Sequence, residues 1–237
     1  MQEIISGGIL PDECKAVLYG IFKAGKSTLL RYVGLCCAGG IPLFGDPVFT
    51  TRQVKVLNIQ LEIPEKGYVM KLRESALSKV EEPRRNYFFS SSFWLKLDTS
   101  EGAEKLEEEI KIIKPELVIV DPLYKTLSGS ENSAQDLTVV FDVIDKLMER
   151  HHFAFLFSSQ ARKSIILQKI GKVDMGDEEI RGHTVIPGWV DSIIGLRHTG
   201  GASNERVLSF TLRHGESETF SKIITYDKQL GIYQLVA

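Results

Sequence analysis

The chain has 237 residues, 43% hydrophobic and 25% charged, which is enough for a full core and excludes a disordered or low-complexity chain. A formal net charge of −2 excludes a global basic field for nucleic acid, so any such contact has to be local. Cys14, Cys36 and Cys37 show no paired framework and no metal-ligand spacing, which points to a reducing, cytoplasmic compartment. No run of about 18 apolar residues predicts a membrane span, and the N-terminus lacks the pattern of a signal peptide.

Residues 1–15 read as a lead-in that ends in turn formers, with the first strand beginning near Lys15. Then comes Gly20-Ile21-Phe22-Lys23-Ala24-Gly25-Lys26-Ser27-Thr28, which fits the phosphate-loop pattern G-x-x-x-x-G-K-[ST] without a mismatch. An apolar run, Ala16-Val17-Leu18-Tyr19, precedes it, and apolar residues at helical spacing follow it. Strand, glycine loop and helix are the context that this chemistry needs. Gly20 and Gly25 are expected to turn the backbone so that successive N–H groups face a phosphate. The helix N-terminus adds partial positive charge. Lys26 is expected to reach the outer phosphates and the Ser27 hydroxyl to ligate Mg²⁺. The expected nucleotide contacts are therefore Gly20, Lys23, Ala24, Gly25, Lys26, Ser27 and Thr28.

The first helix is expected to end at Gly39-Gly40. Residues 53–61 read as a buried strand ending at Glu62. A carboxylate there lies on the ligand side of a parallel sheet, where it can polarise an attacking water; a solvated Glu at a loop start is the alternative. Residues 65–80 carry a helical pattern, 81–86 read as a polar break, and 87–89 begin a short strand. Phe93 and Trp94 follow; packing under a loop is the expectation, base stacking the alternative. Thr99 or Ser100 caps a helix over 101–113, whose acidic run 107–109 reads as a solvated face.

Leu117-Val118-Ile119-Val120-Asp121 is an apolar strand ending in an acid. It is expected to set Asp121 opposite Ser27, holding Mg²⁺ directly or through water. Ser133 and Asp136 read as a capping box for a helix that closes at His151-His152. Residues 153–157 form the next strand, which emits Ser158-Ser159-Gln160. Gln160 can contact the γ-phosphate; a satisfied polar residue is the alternative. Residues 161–182 place four basic residues before four acids and read as a segment that can meet a phosphate backbone or a partner. A strand over 191–196 and an alternating tail read as an antiparallel extension. The whole chain, 1–237, reads as one domain.

With these pieces placed, the chain resembles the RecA-like P-loop ATPase superfamily, and within it the plasmid replicative helicase RepA-like family. The likeness is carried by residues 20–28, Glu62, Asp121-Pro122-Leu123, Ser159-Gln160, Arg181-Gly182 and Trp189-Val190-Asp191-Ser192. It implies an α/β core, a mostly parallel twisted sheet flanked by helices, with C-terminal antiparallel strands. It also implies ATP with Mg²⁺ and assembly as a homo-oligomeric ring or filament; together with the basic stretch of the 161–182 loop it makes single-stranded DNA a candidate partner there, a plain surface loop being the alternative. Glu62 matches the catalytic glutamate, Asp121 the Mg²⁺-linked aspartate and Gln160 the sensor glutamine. RepA-like helicases commonly carry histidines on the sensor strand, where this chain has Ser158 and Ser159. Two residues match arginines that act on a neighbour's nucleotide: Arg181, and Arg213 in Thr211-Leu212-Arg213-His214-Gly215. A helicase or translocase is one reading; a nucleotide-dependent switch or scaffold is another. A small-molecule kinase fits less well, because the 161–182 loop is mixed in sign rather than arginine-rich.

Overall fold

The computed structural model describes residues 2–161, 185–200, 204–214 and 219–236. Its centre is set by strands that are apolar on both faces. In β3 (Lys15–Gly20), Ala16 and Leu18 point into one core while Val17 and Tyr19 point into another. The same alternation runs through β6 (Leu117–Asp121) and β7 (Ala154–Gln160): Ile119 and Leu156 face one side, Val118, Val120, Phe155 and Phe157 the other. Strands buried on both faces need cover on both, which is the condition for a parallel sheet between helix layers.

One layer holds α1 (Lys26–Gly39), which presents Leu29, Leu30, Val33, Cys36 and Cys37 to the sheet. The other holds α4 (Ser100–Ile113) and α5 (Ala134–His151), through Leu106, Ile110, Leu137, Val140, Phe141 and Ile144. The first layer also contains α2 (Glu65–Arg73) and α3 (Glu81–Asn86). A short helix, α6 (Val185–Trp189), lays Trp189 flat on Phe141, with ring centroids 3.8 Å apart.

Among the described residues the main sheet has nine strands. The remaining ones are β4 (Val56–Gln60), β5 (Tyr87–Ser91), β8 (Ser192–His198), β9 (Glu205–Leu212), β10 (Thr219–Asp227) and β11 (Ile232–Leu235). The order is β11-β10-β9-β8-β3-β7-β6-β4-β5. From β8 to β5 every pairing is parallel; β9, β10 and β11 continue the sheet antiparallel. This is the expected mostly parallel core with an antiparallel extension. The extension folds Leu208, Phe210, Ile224 and Tyr233 onto the α1 side.

The structure corrects several local readings. The lead-in is a hairpin of β1 (Glu3–Ile5) and β2 (Leu10–Pro11), whose isoleucines and leucine join the α1 core. The polar break at 81–86 is helix α3. Its proline lies in the first turn, where its missing N–H costs no helical bond, and Glu81 pairs with Arg85. The strand expected over 53–61 is confined to Val56–Gln60. Glu107 is not on a solvated face: it accepts from Arg150 at 2.9 Å and pairs with His151 at 3.0 Å, tying α4 to α5. Only half of the capping box forms. Ser133 Oγ accepts from the Asp136 N–H at 3.3 Å, whereas the Asp136 carboxylate turns to the Ser130 N–H. Trp94 is 88% exposed and Phe93 40%, so neither packs under a loop; they follow β5, the edge strand of the sheet among the described residues.

Phe157 has no exposed surface and lies beside Phe155 and Trp189. Phe157→Ala is expected to lower unfolding stability by about 3–5 kcal/mol in a urea titration, because the large cavity cannot collapse between two covered faces.

Candidate functional site

The site is assembled at the carboxyl ends of four neighbouring parallel strands. Strand register puts Gly20 beside Gln160, and Gln60 beside Asp121. Ligands of open α/β sheets are met at this edge. The residues therefore converge because the strands are in register, although they are spread over 140 positions of sequence.

The phosphate loop leaves β3 at Gly20. Lys23 and Gly25 both have positive φ, at 64° and 105°, and Gly25 is the N-cap of α1. Left-handed residues in such a loop turn backbone N–H groups inward as an anion cradle. Gly25 has the left-handed backbone that such a turn uses. At Gly20 a Cβ would lie 2.4 Å from the Leu196 carbonyl oxygen, so the close approach of β8 requires glycine there. Ala24 is fully buried, and its carbonyl accepts from Arg206 Nε at 2.8 Å. Tyr233 of β11 braces the same loop, its hydroxyl 3.2 Å from where a Gly25 Cβ would sit. Sequence reasoning missed both supports. Arg206 is 182 residues from Ala24, and an arginine early in an edge-side strand carries no local signal.

Lys26 folds over the loop and donates to the carbonyls of Gly20 at 2.8 Å and Ile21 at 3.1 Å. Burial pushes its ammonium below the usual lysine range, opposed by the charges of Asp121 and Glu62. Asp121 is buried, and its Oδ1 accepts from Ser158 Oγ at 2.5 Å. Burial pushes its carboxyl up; hydrogen bonds from Ser158 and Ser27 oppose this, Glu62 adds to it and Lys26 lowers it. Lys26, Ser27, Asp121 and Glu62 thus form one electrostatic group. Ser158 is the direct partner of the aspartate.

Glu62 is exposed at the start of the loop after β4. Two contacts fix it. Gln60, 1% exposed, turns its side-chain oxygen to accept from the N–H groups of Glu62 at 2.6 Å and Ile63 at 2.7 Å. Tyr124 then donates its hydroxyl to Glu62 Oε1 at 2.7 Å. Neither Gln60 nor Tyr124 is evident in the sequence as a site residue, although a glutamine at the end of a buried strand is a faint sign.

Ser27 and Asp121 supply oxygen donors beside Lys26, a donor set that suits Mg²⁺. The raised carboxyl of Asp121 supports the fit, since a nearby divalent cation offsets the cost of a buried anion. Thr28 is half-buried in the first turn of α1. Lys23 is exposed, its ammonium 5.5 Å from the Phe22 ring centroid. Gln160 is half-buried next to Gly20. Arg213 is not with them. It follows β9, whose other end carries Arg206 against the loop, seven residues or roughly 23 Å away at strand rise. There it contacts Asp191 Oδ1 and the Gly188 carbonyl, each at 3.4 Å. Arg181 and the 162–182 part of the basic segment lie outside the described residues.

A family model described as an AAA domain matches residues 2–164, so the chain belongs to that AAA domain family (AAA_25). No curated protein sequence matches it. Among solved structures, it is similar to the ATPase domain of G40P, with a TM-score of 0.70 and 12% identity over 95% of this chain and 85% of that one. A DnaB-like replicative helicase gives a TM-score of 0.70 and 13% identity over 95% of this chain and 59% of the helicase. The RadB recombinase gives 0.64 and 14%, over 95% of this chain and 92% of that chain. The fold shared with these structures is the RecA-like P-loop ATPase fold, as the sequence resemblance implies.

The raised carboxyl of Asp121 makes a signed prediction. A folded-state pKa above the unfolded value means that the folded chain binds the proton more tightly, so stability falls as pH rises through that window and is regained below it. Without nucleotide or metal, Asp121→Asn is therefore expected to be more stable than wild type to urea at pH 8. The gap should narrow as pH falls into the carboxylate range. A variant that is less stable at pH 8 would show that the carboxylate is held by favourable contacts that outweigh its desolvation.

Proposed function

We propose that the chain is a Mg²⁺-dependent ATPase, with residues 1–237 acting as one domain. The observation that carries this is the convergence of Lys26, Ser27, Asp121 and Glu62 at one sheet edge, with Glu62 held by Gln60 and Tyr124. The residues of the loop from Gly20 to Thr28 bind the phosphates. Lys26 exchanges its loop carbonyls for phosphate oxygens, and Ser27 and Asp121 hold Mg²⁺. A bound Mg²⁺ would neutralise charge on the phosphates. Glu62 orients a water and takes its proton. Gln160, on the strand next to the loop, senses the terminal phosphate.

Arg213 is too far from the loop of its own chain to act there, which supports a role in a neighbour's site and hence in a ring or filament. Arg181 is the other candidate. An arginine acting in trans contributes about 10³–10⁵ in rate in related chemistry. The favoured activity is that of a RepA-like helicase or translocase on single-stranded DNA, in the cytoplasm. The fold likeness to the G40P ATPase domain and a DnaB-like replicative helicase supports it, as do the exposed Phe93 and Trp94 at the carboxyl end of β5, where bases can stack. The 161–182 segment is the proposed electrostatic contact. A second reading, a nucleotide-dependent switch or scaffold, draws on the near-complete coverage of RadB and of the flagellar accessory protein FlaH from Methanocaldococcus jannaschii. FlaH matches with a TM-score of 0.61 and 11% identity over 98% of this chain and 92% of that one.

Steady-state ATP turnover with and without single-stranded DNA, on wild type and Glu62→Gln, with particle masses measured in ATP, tests both. The expected result is strong stimulation by DNA, ring-sized particles, and a loss of about 10²–10⁴ in turnover for Glu62→Gln. Turnover indifferent to DNA in a monomer or dimer supports the switch, and turnover unchanged in Glu62→Gln removes that residue from catalysis.

A further inference from the structure

The sheet edge away from the phosphate loop gathers a second group of side chains. Cys14 immediately precedes β3, Asp191 precedes β8 and His214 follows β9, so three adjacent strand ends meet there. Backbone pairing fixes Cys14, Asp191 and Arg213, the residue before His214. The Asp191 N–H donates to the Lys15 carbonyl at 2.8 Å, and the Arg213 N–H donates to the Asp191 carbonyl at 2.9 Å. The Phe155 N–H donates to the Cys14 carbonyl at 2.9 Å. Asp191 Oδ2 accepts from the Lys15 N–H at 2.9 Å, which orients the carboxylate and leaves Oδ1 turned to its neighbours.

Cys14 Sγ, an Asp191 carboxylate oxygen and an imidazole nitrogen of His214 all lie within 4.8 Å of one another. Asp191 Oδ1 and His214 Nε2 are 3.4 Å apart. Ligands at 2.0–2.3 Å around a tetrahedral zinc ion are themselves roughly 3.3–3.8 Å apart, so little movement separates the two arrangements. Cys14 is buried and the other two are half-buried, a setting with one solvent-facing side.

We propose that Cys14, Asp191 and His214 form a binding site for a divalent transition ion of the zinc class. One sulfur, one oxygen and one nitrogen ligand select such an ion over Mg²⁺ or Ca²⁺, which take oxygen. Solvent completes the tetrahedron. On binding, the metal–sulfur bond replaces the S–H bond of Cys14 and the proton leaves to solvent; no electron is transferred. The ion and the Arg213 guanidinium meet the same oxygen, since Arg213 Nη1 is 3.4 Å from Asp191 Oδ1. Metal binding thus frees Arg213 from Asp191. If Arg213 acts on a neighbour's nucleotide, a consequence that rests on the function proposed above, the ion sets its availability.

The test uses the full chain, stripped with a chelator and titrated with Co²⁺ and then Zn²⁺. The expected result is one equivalent of Co²⁺ with a thiolate charge-transfer band, displaced by Zn²⁺. Cys14→Ser should abolish the band. His214→Ala, at a partly exposed position that leaves the fold intact by circular dichroism, should weaken binding by at least about tenfold. Arg213→Gln should bind more tightly, because the competing cation is gone. A wild-type chain with no thiolate band overturns the proposal. So does a band that survives Cys14→Ser, which would come from Cys36 or Cys37, and so does cobalt bound through oxygen alone at Ser27 and Asp121. The readout uses no nucleotide turnover, so its failure is distinct from failure of the ATPase reading.

Discussion

A carboxylate and an ammonium group held largely out of water at one sheet edge are the constraint around which the structure is arranged. Asp121 is 5% exposed, and burial pushes its carboxyl up as it pushes the Lys26 ammonium down. Leaving either charge without partners costs several kcal/mol. The chain limits this cost with Ser27 and Ser158 on the aspartate and the Gly20 and Ile21 carbonyls on the lysine. These contacts require β3, β6 and β7 to end in register. The doubly buried strands achieve that, since a one-residue slip would exchange the two faces of the sheet.

The antiparallel extension serves the same edge. Its first strand returns from β8 and sends Arg206 to the Ala24 carbonyl; its last strand lays Tyr233 against Gly25. The family match ends at residue 164, before these strands, yet they support the phosphate loop within it. The opposite edge collects the strand beginnings, where Arg213 and His214 meet Asp191. The two ends of β9 therefore link the loop to a cluster on the far side of the sheet through one rigid element.

What the sequence made legible was local. The loop is written in nine consecutive residues, Asp121 in an apolar run followed by an acid, and Thr99 and Ser133 in their helix starts. The mostly parallel sheet was legible from strands without polar alternation. What was not legible depends on distant partners: Glu62 meets Tyr124 62 residues away, and Asp121 meets Ser158 37 residues away. Gln60 carries only a faint local signal, and its role is visible only once its oxygen is seen to accept from the Glu62 N–H. Helix α3 was missed because Glu-Glu-Pro-Arg-Arg reads as a break by composition, although each residue suits the helix end where it lies. Cys14 shows no ligand spacing because its neighbours, Asp191 and His214, come 177 and 200 residues later in the chain.

The central claim is that Lys26, Ser27 and Asp121 form a site for a Mg²⁺-bound nucleotide. Calorimetric titration of ATP with Mg²⁺ and with excess chelator, into wild type, Lys26→Ala and Asp121→Asn, tests it most directly. The account predicts that Lys26→Ala weakens binding by about tenfold or more in both conditions, as loss of a charge-assisted contact requires. It also predicts that Asp121→Asn removes most of the difference between Mg²⁺ and chelator. Binding unchanged by Lys26→Ala, or a Mg²⁺ dependence that persists in Asp121→Asn, would contradict it.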